Sequence, residues 1–234
     1  IRVDHVLGLF RLFWLPRTDT PAHGAYMNYD FEAMLGTLVL EAERAGAVVV
    51  GEDLGTFEPW VQDVLRDKGV LGTSVLWFES VPPEMPRPSQ QYRNLALTAV
   101  GTHDLPPTAG YLKGAHNELR HELGLVDDTV DALNAADKVW IDQVIDLTRA
   151  EGELTDDIVE GLTRFVASTP SAMTCTNLVD MVGDERIQNL QISAGPVQRR
   201  LRVADVTMDL AGGKAVTVKA QDRHTAERLF QHES

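Results

Sequence analysis

Residues 1–15 read IRVDHVLGLFRLFWL, and the interruptions in this apolar run decide how the whole chain is read. Arg2, Asp4, His5 and Arg11 break it too often for plain burial, so ionisable groups are being held at the end of an apolar strand. Two later stretches repeat the design. AVVVGEDLG over 47–55 carries Glu52 and Asp53, and ALTAVGTHD over 96–104 carries His103 and Asp104. We read the three as parts of one site.

Working outward, residues 1–7 are expected to form a buried strand ending near Asp4 and His5. An aromatic segment with Phe10, Phe13 and Trp14 follows and closes at Pro16, and TDTPAHGAYMNYD over 18–30 has the composition of an irregular loop. Met34, Leu35, Leu38, Ala42 and Ala45 share one face of a helix over 31–45 that stops at Gly46. Val48, Val49 and Val50 have the pattern of a parallel strand buried on both faces. A second helix over 57–67 has Pro59 in its first turn and Trp60, Val61, Val64 and Leu65 on its apolar face.

A strand over 73–78 leads to VPPEMPRPS, too rich in proline for regular structure, and 95–100 form another strand. Helices are expected over 114–123, 128–150 and 156–167, the last capped by Thr155. A fifth strand spans 172–179, where Cys175 reads as a small core residue rather than a nucleophile. A helical or irregular stretch through Arg199–Arg202 and a strand near 215–218 complete the chain.

Alternating strands and helices are the mark of parallel βαβ units, either a (β/α)8 barrel or an open doubly wound sheet. Right-handed connections place the C-terminal ends of all the strands on one face. Asp4, Glu52 and Asp104 are therefore expected to converge.

Composition narrows the partners. A formal net charge of −14 excludes nucleic acid and an anionic membrane as the main partner, since Arg199, Arg200 and Arg202 form too short a basic group and read as solvated surface. Cys175 is the single cysteine, which fits a reducing, cytoplasmic setting. No apolar run approaches the roughly 18 to 20 residues that span a bilayer, and Asp4 and His5 stand where a signal peptide would be basic. The chain begins at Ile1, inside what reads as a strand, so a longer protein is expected upstream.

Three acids could hold a metal, but neither an Asp-x-Asp-x-Asp-Gly loop nor His-Glu-x-x-His is present. The chain also lacks Gly-x-Gly-x-x-Gly, a Walker loop and a Gly-x-Ser-x-Gly elbow. Glycoside chemistry needs two carboxyl groups flanking the scissile bond, one to attack the anomeric carbon and one to protonate the leaving oxygen. Arg2, two residues before Asp4 and on the same strand face, is placed to pair with it.

RVDH, GEDLG and GTHD, in this order and with helices between successive strands, resemble the second half of the 4-α-glucanotransferases, or amylomaltases, of the α-amylase clan. The resemblance covers residues 1–205. It implies an α/β fold, a (β/α)8 TIM barrel of which this chain supplies only strands 4–8, with 206–234 as a tail or small strand-containing extension. It implies that Asp4 is the nucleophile, Glu52 the general acid/base and Asp104 the transition-state stabiliser, with Arg2, His5 and His103 orienting the nucleophile or binding the sugar. The implied partners are α-1,4-glucans and maltooligosaccharides, with no cofactor and no metal, and the N-terminal half of the barrel is missing from this chain. Trp14, Tyr26, Trp77 and Phe78 are candidates for stacking on sugars or for the core. GTHDLPPT departs from the commoner THDNDT-like continuation, and QNLQISAGPVQRRL lacks the family's PGT and Trp. A hydrolase of the same clan and a non-catalytic, glucan-binding half-barrel are the rival readings.

Overall fold

The computed structural model describes residues 1–17 and 21–182, and, for backbone only, the strands at 187–193, 203–210 and 215–222. In chain order the elements are β1 (Arg2–Val3), β2 (Arg11–Trp14), β3 (Ala25–Asn28), α1 (Phe31–Arg44), β4 (Val50–Gly51), α2 (Pro59–Asp67) and β5 (Gly72–Val75). There follow β6 (Ser80–Val81), β7 (Met85–Pro86), β8 (Ala96–Ala99), α3 (Thr108–Lys113), α4 (Ala115–Glu122), α5 (Val130–Ala150) and α6 (Ile158–Ala167). The last are β9 (Met173–Cys175), α7 (Leu178–Met181), β10 (Ile187–Ser193), β11 (Val203–Leu210) and β12 (Ala215–Asp222). Two compact units result: Ile1–Val100 with Leu147–Leu154 and Gly161–Cys175, and Gly101–Asp146 with Thr155–Glu160 and Thr176–Ser234.

The first unit is built on parallel strands that neighbour one another in sequence order. β1 pairs with β4, β5 with β8 and β8 with β9, all parallel. A parallel bridge, Val50↔Leu71, joins β4 to the residue ahead of β5. Val49 and Val50 are buried, as their β-branched run predicts, but Val48 is exposed because the strand begins only at Val50. Asp30 caps α1, its Oδ1 accepting from Ala33 N at 3.2 Å, and α1 turns Leu35 and Ala42 inward. α2 does the same with Val61 and Leu65, one turn apart on one face. With Val6, Leu7, Phe10, Val49 and Val70 these residues form one apolar cluster, in which burying a leucine such as Leu35 contributes about 2 kcal/mol.

Several expectations are corrected here. The strand expected over 1–7 is confined to Arg2–Val3, because the chain turns at His5 into a 3₁₀ turn over Val6–Leu9. The stretch read as an irregular loop supplies β3, which pairs antiparallel with β2 through Phe13↔Tyr26 and its neighbours. The proline-rich stretch after β5 contains the short antiparallel pair β6–β7, whose register leaves the prolines outside or at the last position of a strand. β9 ends at Cys175, and Cys175 is exposed, not a core residue.

In the second unit, α4 lies where a helix was expected, but α3 precedes it, separated by Gly114 at φ 78°. The cap of α6 is Asp157, not Thr155: Asp157 Oδ1 accepts from Val159 N at 2.8 Å and Glu160 N at 3.3 Å. β10, β11 and β12 form an antiparallel sheet in that order. Arg199, Arg200 and Arg202 lie outside the described residues. Among the described residues no helix is long and apolar enough to cross a membrane.

Candidate active site

The first unit brings Arg2, Asp4, His5 and Glu52 together at the ends of β1 and β4. The two strands pair in the register Arg2↔Val50 and Val3↔Gly51, so Asp4 and Glu52 are each one residue beyond the last matched pair. The ladder continues through Glu52: its N–H donates to Val3 O at 2.9 Å and its carbonyl accepts from Val6 N at 3.0 Å. Its side chain is held as firmly. Oε2 accepts from His5 N at 2.9 Å and Oε1 from Leu54 N at 2.7 Å. Both donors are backbone, so the plane of the carboxyl is set by the fold and not by a neighbouring rotamer.

Two local features make this possible. His5 adopts φ 44° and ψ 55°, a left-handed conformation that costs a non-glycine residue roughly 1 kcal/mol. That turn ends β1 directly after Asp4 and places the His5 N–H against Glu52; such outliers concentrate at functional sites. Gly51 is the second feature. A Cβ there would stand 2.9 to 3.1 Å from three atoms of Val6, so only glycine lets the turn after His5 close over β4.

Asp4 is paired through Oδ1 with Arg2 Nη1 at 2.7 Å, the partners expected from their shared strand face. The Asp4 side chain is 66% exposed. Asp53, the next residue after Glu52, is nearly inaccessible and bonds to Arg93. In the sequence Asp53 stands out only as part of the GEDLG stretch, with no role of its own, and nothing near Arg93 points to it.

Beside His5 lies a cavity of about 370 Å³ whose lining includes Phe10, Arg11, Tyr26, Tyr29 and Trp60. Arg11 is tied to Glu58 at 2.9 Å and lies over the Tyr26 ring, 4.3 Å from its centroid, while Trp14 Nε1 donates to Tyr29 Oη at 2.7 Å. Of the aromatic residues considered for sugar stacking, Trp77 is buried and belongs to the core, whereas Trp14, Tyr26 and Phe78 are exposed.

His103 and Asp104 belong to the second unit, in the segment that follows β8. His103 Nε2 lies 3.4 Å from Asp104 Oδ1, and the Asp104 N–H donates to Thr102 Oγ1 at 3.3 Å. The LPPT continuation has its own anchor: Thr108 donates through N to Asp180 Oδ1 at 2.7 Å and through Oγ1 to Asp180 Oδ2 at 2.9 Å, and both residues are buried. Asp180 thus satisfies the start of α3, a role with no local signature in the sequence. Among the described residues no group of three His, Cys, Asp or Glu side chains is arranged to hold a metal ion.

Comparison with known proteins adds the following. Residues 1–202 match the family profile of the 4-alpha-glucanotransferases, glycoside hydrolase family 77, and residues 181–234 match that of the bacterial PH domain. A 4-alpha-glucanotransferase of Mycobacterium tuberculosis is 48% identical over 204 residues, covering 81% of this chain and 28% of that protein. One of Haemophilus influenzae is 38% identical over 130 residues, covering 56% of this chain and 18% of its own length. The crystal structure of amylomaltase from Corynebacterium glutamicum superposes with a TM-score of 0.76 at 52% identity, covering 80% of this chain and 29% of that one. The chain therefore spans under a third of the length of these relatives.

Proposed function

The chain belongs to the 4-alpha-glucanotransferase family, and from that premise we propose that the protein it is part of transfers α-1,4-glucan segments between maltooligosaccharides with retention of configuration. Asp4 attacks the anomeric carbon as the bond to the leaving sugar breaks, and Glu52 gives its proton to the departing oxygen. The covalent glucosyl ester on Asp4 is then attacked by the 4-hydroxyl of an acceptor sugar, whose proton passes to Glu52. Arg2 and His5 orient the two carboxyl groups, and His103 and Asp104 hold sugar hydroxyls. The exposed Tyr26 ring offers a stacking face at the cavity beside His5.

The observation that carries this reading is the register at the ends of β1 and β4. Neighbouring parallel strands lie about 4.8 Å apart, and a retaining displacement needs its two carboxyl groups about 5 to 5.5 Å apart. Matched positions one residue past Val3 and Gly51 suit that separation. The sequential parallel order β1, β4, β5, β8, β9 supports the reading of this chain as strands 4–8 of a (β/α)8 barrel, since a doubly wound sheet would reverse its order. The remaining strands belong to the part of the protein not covered by this chain. For the extension placed at 206–234, the sheet of β10, β11 and β12 favours an earlier start, ahead of Ile187, because a cut at 205 would divide β11. The single cysteine favours a cytoplasmic protein.

The test is incubation of the full-length protein with maltotriose. Glucose together with longer maltooligosaccharides is expected, and Glu52→Gln lowers the rate by about 10³-fold or more. Reducing ends rising in step with bond cleavage would instead mark a hydrolase, and activity undiminished in Glu52→Gln would refute the assignment of Glu52.

A further inference from the structure

We propose that Asp53 is a positioning residue for Glu52, an inference that rests on the glucanotransfer reading above. Successive residues of an extended chain face opposite ways, so that as Glu52 is turned toward the carboxyl pair at the strand ends, Asp53 is turned into the body of the unit. There its side chain is 1% exposed and its two oxygens accept four hydrogen bonds. Thr73 N donates at 2.8 Å from β5, and Gln62 Nε2 at 3.1 Å from α2. Arg93 supplies a fork, Nη1 at 2.5 Å and Nη2 at 3.2 Å.

Arg93 is itself fixed. Its Nη2 also donates to Thr73 O, and its carbonyl accepts from Ser171 Oγ at 2.8 Å. A Cβ at Gly72 would stand 2.5 Å from Arg93 Nη1 and 2.9 Å from Asp53 Oδ2, so the fork requires glycine at that place. A buried aspartate with a bidentate guanidinium, a backbone donor and an amide donor is fully satisfied, and an arrangement of this completeness specifies one position of the backbone.

That position bears on Glu52 from the side β1 does not reach. The Glu52 peptide is held toward β1 by Val3 O and Val6 N. The N–H that holds Glu52 Oε1 belongs to Leu54, the residue after Asp53. Asp53 therefore locates one of the two donors that orient the carboxyl. Releasing it frees the segment that carries the Leu54 N–H and leaves the carboxyl held by His5 alone.

The experiment compares two donors on the full-length protein carrying Asp53→Asn. Cleaving maltotriose breaks the bond from C1 to the leaving sugar oxygen, which takes the proton of Glu52 while Asp4 forms the ester. With α-maltotriosyl fluoride the C1–F bond breaks and fluoride leaves as the anion, so the ester forms without that proton. A displaced Glu52 lowers single-turnover glucose release from maltotriose by roughly 10- to 100-fold. Single-turnover fluoride release falls by less than about 3-fold. Loss of folded protein would lower both alike.

Gln62→Leu, which removes one of the four bonds and keeps the ion pair, is the second variant should Asp53→Asn not fold, and a smaller split in the same sense is expected. Equal losses on the two donors, or no loss, in the variants that fold would overturn the proposal. The control is Glu52→Gln: if it too lowers both donors equally, Glu52 is not the acid and both readings fall together, whereas a split in Glu52→Gln without one in the Asp53 and Gln62 variants overturns only this inference.

Discussion

Replacing Gly51 by alanine probes the join between fold and site most directly. The new methyl would lie 2.9 Å from Val6 Cγ1, 3.0 Å from Cβ and 3.1 Å from Cγ2. Val6 is fully buried within the apolar cluster, so a shift of its side chain must be absorbed by the neighbours packed around it. Overpacking of this kind costs about 2 kcal/mol. Val6→Ala alone removes two methyl groups from the same buried site and costs a similar amount, about 2 kcal/mol, through lost burial and a small cavity. Together the changes relieve each other, because two of the three close atoms are gone and the remaining Cβ has to shift only slightly. The double variant is therefore expected to lose about 2 to 3 kcal/mol and not the sum of about 4, a coupling of roughly 1 to 2 kcal/mol.

Urea unfolding of the full-length protein and its three variants measures this as shifts in midpoint at unchanged slope. Transfer activity is a second readout. His5 N and Val6 N both bond to Glu52, at 2.9 and 3.0 Å, so a methyl that pushes Val6 from β4 also disturbs the carboxyl. Activity lost in Gly51→Ala is then partly recovered when Val6→Ala is added. Strict additivity in stability, or a Gly51→Ala protein as stable as the parent, would refute the close-approach argument.

Three further changes test other parts of the unit and its neighbour. The Tyr92 hydroxyl is buried and has no hydrogen-bond partner among the described residues, so Tyr92→Phe is expected to be neutral or to stabilise by up to about 1 kcal/mol near neutral pH. Burial first, then the Glu79 charge, raises the Tyr92 phenol above its ordinary 10.0. Because the unfolded chain ionises this phenol first, it lowers stability only as pH rises from 10.0 toward the folded-state value and has no pH effect below, so a stability profile that falls less above this point in Tyr92→Phe is the expected result. Asp157→Ala should cost about 1 kcal/mol as the cap of α6 and Thr155→Ala less than about 0.5 kcal/mol; the opposite order in thermal unfolding would return the cap to Thr155.

The elements most legible in the sequence were those whose evidence is local. α1 and α2 run close to the bounds read from the spacing of Leu35, Ala42, Val61 and Leu65, because an apolar stripe at helical period has few other ways of being buried. β8 lies within its expected apolar run, whereas β4 keeps only Val50 of the expected Val48–Val50 run and extends to Gly51. The β2–β3 and β6–β7 pairs are not visible in the sequence, where Arg11–Trp14 reads only as an aromatic segment and the stretches over 18–30 and 81–89 read as loop. In each, the strand is short and its stability comes from a partner across a turn, which composition does not reveal. Residue type alone favours Thr155 as a cap, yet the donors of Val159 and Glu160 are reached by Asp157. Asp180 and Arg93, remote in sequence from Thr108 and Asp53, could not be matched to them in advance.

By itself the sequence determined the alternation of strands and helices, the family, and the presence of acidic and histidine residues at strand ends, because each of these is written in neighbouring residues. Only the tertiary structure decided that β1 and β4 end in matched register, that His5 takes a left-handed turn to place its N–H on Glu52, and that Gly51 is there to admit Val6. It also decided which way Asp53 faces. These are distances between segments about fifty residues apart, and a hydrogen bond or a collision at 3 Å depends on the packing of both segments, of which either stretch alone carries half.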